Sequence, residues 1–367
     1  SSYIDDNNVK TFYWDRMIYI SDGDNERVIA LEYIDETNKF EFKYEMTDFV
    51  NNWGVPDAIT SPRGLYATDG ELYVCDTDAN RILVFATQGN PDYEEGDFIR
   101  IIEEPQSEVF PDDHIYKPIA VTASDSGYVY VVSSTTYQGI ISINSDGEFA
   151  GFIGTQSQSL SLADMIWRRF QTAEQRAQSQ TFVPTSFNKI AIDDEFNNLN
   201  INEKGFVFAT TASIKEEDLL AAIQSKNNSS DYAPVKMLNP SGSDVMKRSG
   251  FFPPSGEINV STQQTPDYNI TGPSKIVDIG LGPEGTWSVI DQKRQKIFTY
   301  DEDGNLLFAF GDKGSQLGNI TGIQAIDYAY DNRDSENAVN YMLVLDKEND
   351  CITVYKRTAY GDILVNA

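Results

Sequence analysis

The sequence predicts an all-β chain folded as a six-bladed β-propeller with short helical inserts around its fourth blade. Three observations predict it. A strand–turn–strand unit recurs six times, the stretches between its copies supply further strands, and Phe, Tyr and Trp make up 12% of the 367 residues, residue types that favour pleated, half-buried surfaces.

The recurring unit is clearest in "LYVCDTDANRILVF", Leu72 to Phe85, where two apolar runs flank a polar turn. "IYISDGDNERVIAL" from Ile18, "WSVIDQKRQKIFTY" from Trp287 and "MLVLDKENDCITVY" from Met342 repeat it. Each first run ends on an Asp: Asp22, Asp76, Asp291 and Asp346. The fifth residue beyond it is Arg27, Arg81, Lys296 or Cys351. Two weaker copies start at Val129, with Ser133 in the Asp place, and at Val207, with Thr211 there. Successive copies are 54, 57, 78, 80 and 55 residues apart. Such a period marks a repeat architecture.

Further strands flank each unit. Upstream runs led by Pro or Gly are "SPRGLYAT", "KPIAVTAS", "VPTSFNKIAID" (183–193), "GPSKIVDIGLG" and "TGIQAIDYAY". In the first unit "VKTFYWD", Val9 to Asp15, is the candidate for this strand. Downstream, "YDEDGNLLFAFG" and "INSDGEFAGFIG" each place a Gly turn before another apolar run, a strong short-range hairpin signal. Four antiparallel strands per unit is the pattern of a propeller blade, and a closed ring of blades removes exposed sheet edges. The expectation is one propeller domain over 1–367, with helical inserts at about 160–179 and about 214–225 read from 3.6-residue periodicity. In the first insert Leu162, Met165, Ile166 and Phe170 share a face; in the second, Ser213 and Glu216 form a capping-box pair.

Charge and composition narrow the function. Asp and Glu number 57 against 28 Lys and Arg, a formal net charge of -29. That field repels phosphate backbones and anionic lipid, so neither nucleic acid nor direct membrane insertion is expected. It attracts cations, so Ca²⁺ stays open as the one ion of interest and no other cofactor is expected. No apolar run reaches transmembrane length. The chain starts "SSYIDD" without Met, which reads as a trimmed, mature fragment. Cys75 and Cys351 lack metal-ligand spacing. Cys75 reads as a small core residue, and a disulfide between them stays open.

The Pro-led strand, the "LYVCDTDANRILVF" hairpin and the Gly turn together resemble NHL repeats. "MIWRRFQTAEQRAQ", "FVPTSFNKIAID", "KMLNPSGSDVMKRSGFFPPSGE", "GPSKIVDIG" and "LDKENDCITVYKRTAYGDIL" are similar to segments of NHL-repeat proteins from Gram-positive gut bacteria. The resemblance implies a six-bladed propeller, secreted or attached to the bacterial surface. It also implies a helical segment after the propeller, cut short at "YGDILVNA". It carries no reaction over to any residue here.

Individual chemistries weigh as follows. The single His, His114, excludes multi-His zinc sites within this chain and leaves no Ser–His–Asp arrangement with a nucleophile elbow. His114 itself reads as a solvated loop residue. The repeated Asp reads as a structural device, accepting N–H bonds in the following turn and pairing with the Arg or Lys five residues on. "DEDGN", 301–305, starts like a Ca²⁺ loop but lacks the later ligands. No catalytic residue is assigned and the metal set is left unknown. The remaining candidates lie where loops lead into the innermost strands: Arg63, Lys117, Asn188, Lys189 and Lys275. Grouped at a channel mouth they would bind an acidic or polar ligand; alternatively they pair with the repeat's own carboxylates. The resulting expectation is a monomeric, extracellular or cell-surface, non-catalytic module for a protein or carbohydrate ligand. The alternative is a Ca²⁺-dependent hydrolase of the gluconolactonase type with its site in the central channel, against which the absence of Glu from the inner-strand runs counts.

Overall fold

The computed structural model describes residues 2–4 and 10–12 and most of the chain from 17 to 365; the longest stretch outside the described residues is 155–197. The first expected helical insert, the run 183–193, Asn188 and Lys189 therefore lie outside them.

The described chain is all-β in a propeller arrangement of consecutive antiparallel sheets. Sheet one has Met17–Asp22, Arg27–Ile34 and Lys39–Met46. Sheet two has Pro62–Thr68, Glu71–Asp76, Arg81–Ala86 and Phe98–Ile102. Sheet three has Pro118–Ala123, Val129–Ser133, Ile140–Ile143 and Phe149–Ile153. Sheet four has Asn198–Ile201, Val207–Thr210 and Val235–Leu238. Sheet five has Ile276–Leu281, Trp287–Asp291, Lys296–Tyr300 and Leu306–Phe310. Sheet six has Ile323–Asp331, Val339–Asp346 and Cys351–Lys356.

The repeat sits at the same register in sheets one, two, five and six. Ile18 pairs with Leu31, Leu72 with Phe85, Trp287 with Tyr300 and Met342 with Tyr355. Glu26, Asn80, Gln295 and Asp350, each four residues past the repeat Asp, all take a left-handed backbone with φ between 49° and 60°. Four-residue turns of one geometry thus set the hairpin register.

Five sheets, two to six, begin with an inner strand, and successive inner strands lie side by side. Sheet one has none among the described residues, which corrects the expectation of six equivalent blades to five. The reason is a change of partner: Lys10–Phe12, inside the expected inner strand "VKTFYWD", pairs with Ser2–Ile4 instead. In sheet four the inner strand is Asn198–Ile201, downstream of the expected run 183–193.

The core is a series of layers between neighbouring sheets. Strand alternation divides the side chains. In sheet two, Leu72, Val74, Leu83 and Phe85 pack toward sheet one, whereas Tyr73, Cys75, Ile82 and Val84 pack toward sheet three. Further layers join sheets three and four, four and five, and five and six. Among the described residues no such layer joins sheet six to sheet one.

A helix runs over Glu216–Gln224 and turns Leu219, Ala222 and Ile223 inward. Its N-cap is Lys215, which offers no side-chain cap; Ser213 of the expected capping box lies outside the described residues. A second helix spans Ala359–Val365. Both cysteines are free, Cys75 buried and Cys351 exposed, and burial pushes the Cys75 thiol well up. No helix among the described residues is long and apolar enough to cross a membrane.

Candidate functional site

The repeat Asp is a latch on the inner strand. Asp76 is fully buried. Its Oδ1 accepts the backbone N–H of Thr60 at 3.0 Å and of Ser61 at 2.7 Å, just ahead of the inner strand, and its Oδ2 accepts Arg81 Nε at 3.0 Å. Asp346 accepts the N–H of Thr321 and of Gly322, both at 2.8 Å. Asp291 accepts Lys275 N at 3.0 Å and Ser274 Oγ at 2.6 Å. Ser133 Oγ accepts Lys117 N at 3.0 Å. Asp22, in the sheet without an inner strand, bonds the side chains of Asn25 and Arg27. The repeat carboxylates thus hold backbone together. The expected pairing five residues on forms for Asp76–Arg81 and Asp22–Arg27, but Asp291 pairs with Arg294 while Lys296 pairs with Glu257.

The predicted ligand residues fall in two places. Arg63 is exposed near the start of its inner strand. Lys117 Nζ lies 3.0 Å from Asp78 Oδ1. The Lys117 ammonium, with Arg63 adding its positive charge, holds the Asp78 carboxyl below its ordinary range. Arg63 and Lys117 thus converge on one acidic side chain in the turn of sheet two. Lys275, exposed, lines a separate cleft of about 370 Å³ with Glu216, Leu219, Gln292 and Lys293.

Another cleft, about 410 Å³, is lined in part by the turn of sheet two. Ala79, Asn80 and Arg81 form one wall; Glu103, Glu104, Gln106, His114 and Tyr116 form another; Trp53 stands at its rim, 68% exposed. Arg81 grips both oxygens of Asp57, at 2.7 Å and 3.0 Å, and donates to Ala58 O at 2.8 Å. That guanidinium holds Asp57 down at about 2. His114 bonds Glu104 through Nδ1 and Thr136 Oγ1 through Nε2, and stacks on Phe110. It is a partly buried linker, which corrects its reading as a solvated loop residue. Sequence reasoning missed this cleft; its one local signal was a Trp in the turn "NNWGV".

Two inner-strand carboxyls were also missed. Asp278 Oδ2 accepts the N–H of Ile326 from the next sheet at 2.7 Å and its Oδ1 accepts Ile279 N at 2.8 Å. Burial pushes its carboxyl up to about 8. Asp327, on the neighbouring inner strand, is exposed, and its Oδ1 accepts the N–H of Tyr328 at 2.8 Å. Among the described residues no three His, Cys, Asp or Glu side chains gather closely enough to hold a metal ion.

No curated protein matches the chain. Among solved structures it is similar to a streptogramin B lyase, at 13% identity over 84% of this chain and 71% of that one, with a TM-score of 0.39. It is similar to virginiamycin B lyase from Staphylococcus aureus, an inactive variant with quinupristin, at 13% identity over 96% and 82% and a TM-score of 0.42. It is also similar to hydrazine synthase of Kuenenia stuttgartiensis, at 12% identity over 94% and 93% and a TM-score of 0.48. Likeness at this level carries nothing about activity. Residues 60–85, which hold the Asp76 latch, the inner strand it fastens and the Arg81 strand, match the NHL repeat.

Proposed function

We propose that this chain is a non-catalytic binding module for a protein or carbohydrate ligand, acting outside the bacterial cell or on its surface. One observation carries the reading. The turn of sheet two between Asp76 and Arg81 carries both Asp78, which Lys117 pairs and Arg63 faces, and Ala79 and Asn80, which line the Trp53 cleft. An exposed indole beside a concave polar wall is a contact surface. Most ionic side chains of the cleft are engaged: Arg81 with Asp57 and Asp76, and His114 with Glu104, whereas Glu103 makes no ion pair among the described residues. Arg63, Lys117 and Lys275 remain the proposed ligand contacts on the inner-strand side, and Asn188 and Lys189, outside the described residues, stay proposed with them.

A glycan and peptide array, probed with and without Ca²⁺ and repeated with Arg63→Ala, tests the role. Retention of a defined glycan or peptide class supports it. Ca²⁺-dependent turnover of lactones, or retention of nothing on the array, would overturn it.

A further inference from the structure

The Trp53 cleft admits a narrower statement, which rests on the binding role just proposed. Trp53 is exposed on a turn that is firmly built. Asn51 Oδ1 accepts the N–H groups of Trp53 and Val55, both at 3.1 Å, and Asn51 N donates to Val55 O at 3.0 Å. Gly54 supplies the left-handed φ of 74° that the turn needs. Asn52 Nδ2 donates to Ile99 O at 3.2 Å, which ties the turn to the outer strand of sheet two. The backbone that carries the indole is therefore set in place before any ligand arrives, and binding has only the Trp53 side-chain torsions to order.

Charge decides what the indole would meet. Around the cleft stand four carboxylates, Asp57, Asp76, Glu103 and Glu104, against the Arg81 guanidinium and the His114 imidazole. Asp57 and Asp76 more than balance Arg81, whose side chain is only 14% exposed. Glu104 is taken by His114. Lys117, next in sequence to Tyr116 of the cleft wall, is taken by Asp78. Glu103 is exposed and makes no ion pair among the described residues. The cleft thus offers an exposed aromatic face and, in Glu103, an exposed carboxylate that pairs with no cation among the described residues.

We infer that this cleft receives a Lys or Arg side chain from a basic segment of a protein partner, with the Trp53 indole against the cation and Glu103 as its counter-charge. Trp is the strongest cation–π face among the side chains, and a guanidinium meeting a carboxylate forms a charge-assisted pair. The net charge of -29 steers a basic partner toward this surface. A neutral sugar could stack on the indole and donate a hydroxyl to Glu103, but it brings no cation to balance that charge or to meet the indole face.

The test uses the full chain and three pentapeptides, Gly-Gly-Xaa-Gly-Gly with Arg, Lys or citrulline at the centre. Binding is followed by the indole N–H resonances, with Trp53 assigned by its loss in Trp53→Phe. The Arg and Lys peptides should shift the Trp53 resonance and bind roughly tenfold more tightly than the citrulline peptide. Raising salt from about 0.05 M to about 0.5 M should weaken them several-fold. Glu103→Gln should remove most of the preference for Arg over citrulline, and Trp53→Ala, read by titration calorimetry because it lacks the reporter resonance, should abolish binding of all three. Both side chains are exposed, so an unchanged unfolding midpoint verifies that the variants fold. Equal affinity for Arg and citrulline, or no shift at Trp53 with any peptide, overturns the inference. An oligosaccharide that shifts Trp53 equally in the parent chain and Glu103→Gln also overturns it, while leaving the binding role standing. An array that retains nothing removes the role itself.

Discussion

Replacing Asp76 by Ala and comparing the loss with that of Asp22→Ala separates a latch on the inner strand from a device for the hairpin alone. The two aspartates occupy the same place in the repeat and each meets an Arg five residues on, at 3.0 Å and 2.8 Å. Only Asp76 also accepts backbone N–H groups ahead of an inner strand. Hydrogen bonds to a charged group contribute about 1.5–3 kcal/mol each. In Asp76→Ala the exposed Thr60 can give its N–H to water and Arg81 keeps Asp57, so the uncompensated loss centres on Ser61 and the Arg81 Nε. That sets the cost at about 2–4 kcal/mol. Asp22 and Arg27 have side chains 23% and 34% exposed, so Asp22→Ala should cost about 1 kcal/mol or less. Urea unfolding midpoints at a common slope measure the difference, and amide exchange at Ser61 should quicken only in Asp76→Ala. An Asp22→Ala loss equal to or greater than that of Asp76→Ala would refute the latch.

Three further outcomes follow from other contacts. The Asp278 carboxyl is raised from 3.8 to about 8, so the folded state holds the proton more tightly and this group's contribution is full below about pH 4 and is lost as pH rises through about 8. Asp278→Asn should therefore gain stability relative to the parent between pH 5 and pH 9, by up to roughly 5 kcal/mol, and a pH-independent difference in urea midpoints would count against this. Asp57 is depressed to about 2; its contribution is present above about pH 4 and lost as pH falls through about 2, so the stability cost of Asp57→Asn should shrink over that fall in acid titration. Gly64→Ala would place a Cβ 2.5 Å from Ile119 O and 2.7 Å from Ala120 Cα, forcing neighbouring inner strands apart at a cost of about 1–3 kcal/mol or more, and an unchanged thermal midpoint would contradict that close approach.

What the sequence alone determined is what short-range rules control. Alternating apolar runs and a four-residue turn define the hairpins, so Leu72–Phe85 and Trp287–Tyr300 pair as the pattern says. An Asp at a strand end also announced a structural acceptor, because the same residue recurs wherever the same turn does. The tertiary structure decided the partners. Lys10–Phe12 has the composition of an inner strand yet pairs with Ser2–Ile4, since any extended run can satisfy its backbone on whichever edge lies nearest. Asp76 bonds Thr60 and Ser61, upstream of its own hairpin, a direction that sequence spacing does not encode. The Trp53 cleft draws on residues 53, 79–81, 101–106 and 114–116, four stretches that become one wall only when sheet two packs against its neighbours. Hairpin register depends on neighbours within a few residues and is written in the chain; a cleft depends on which surfaces meet, and that is settled only when the layers between sheets are packed.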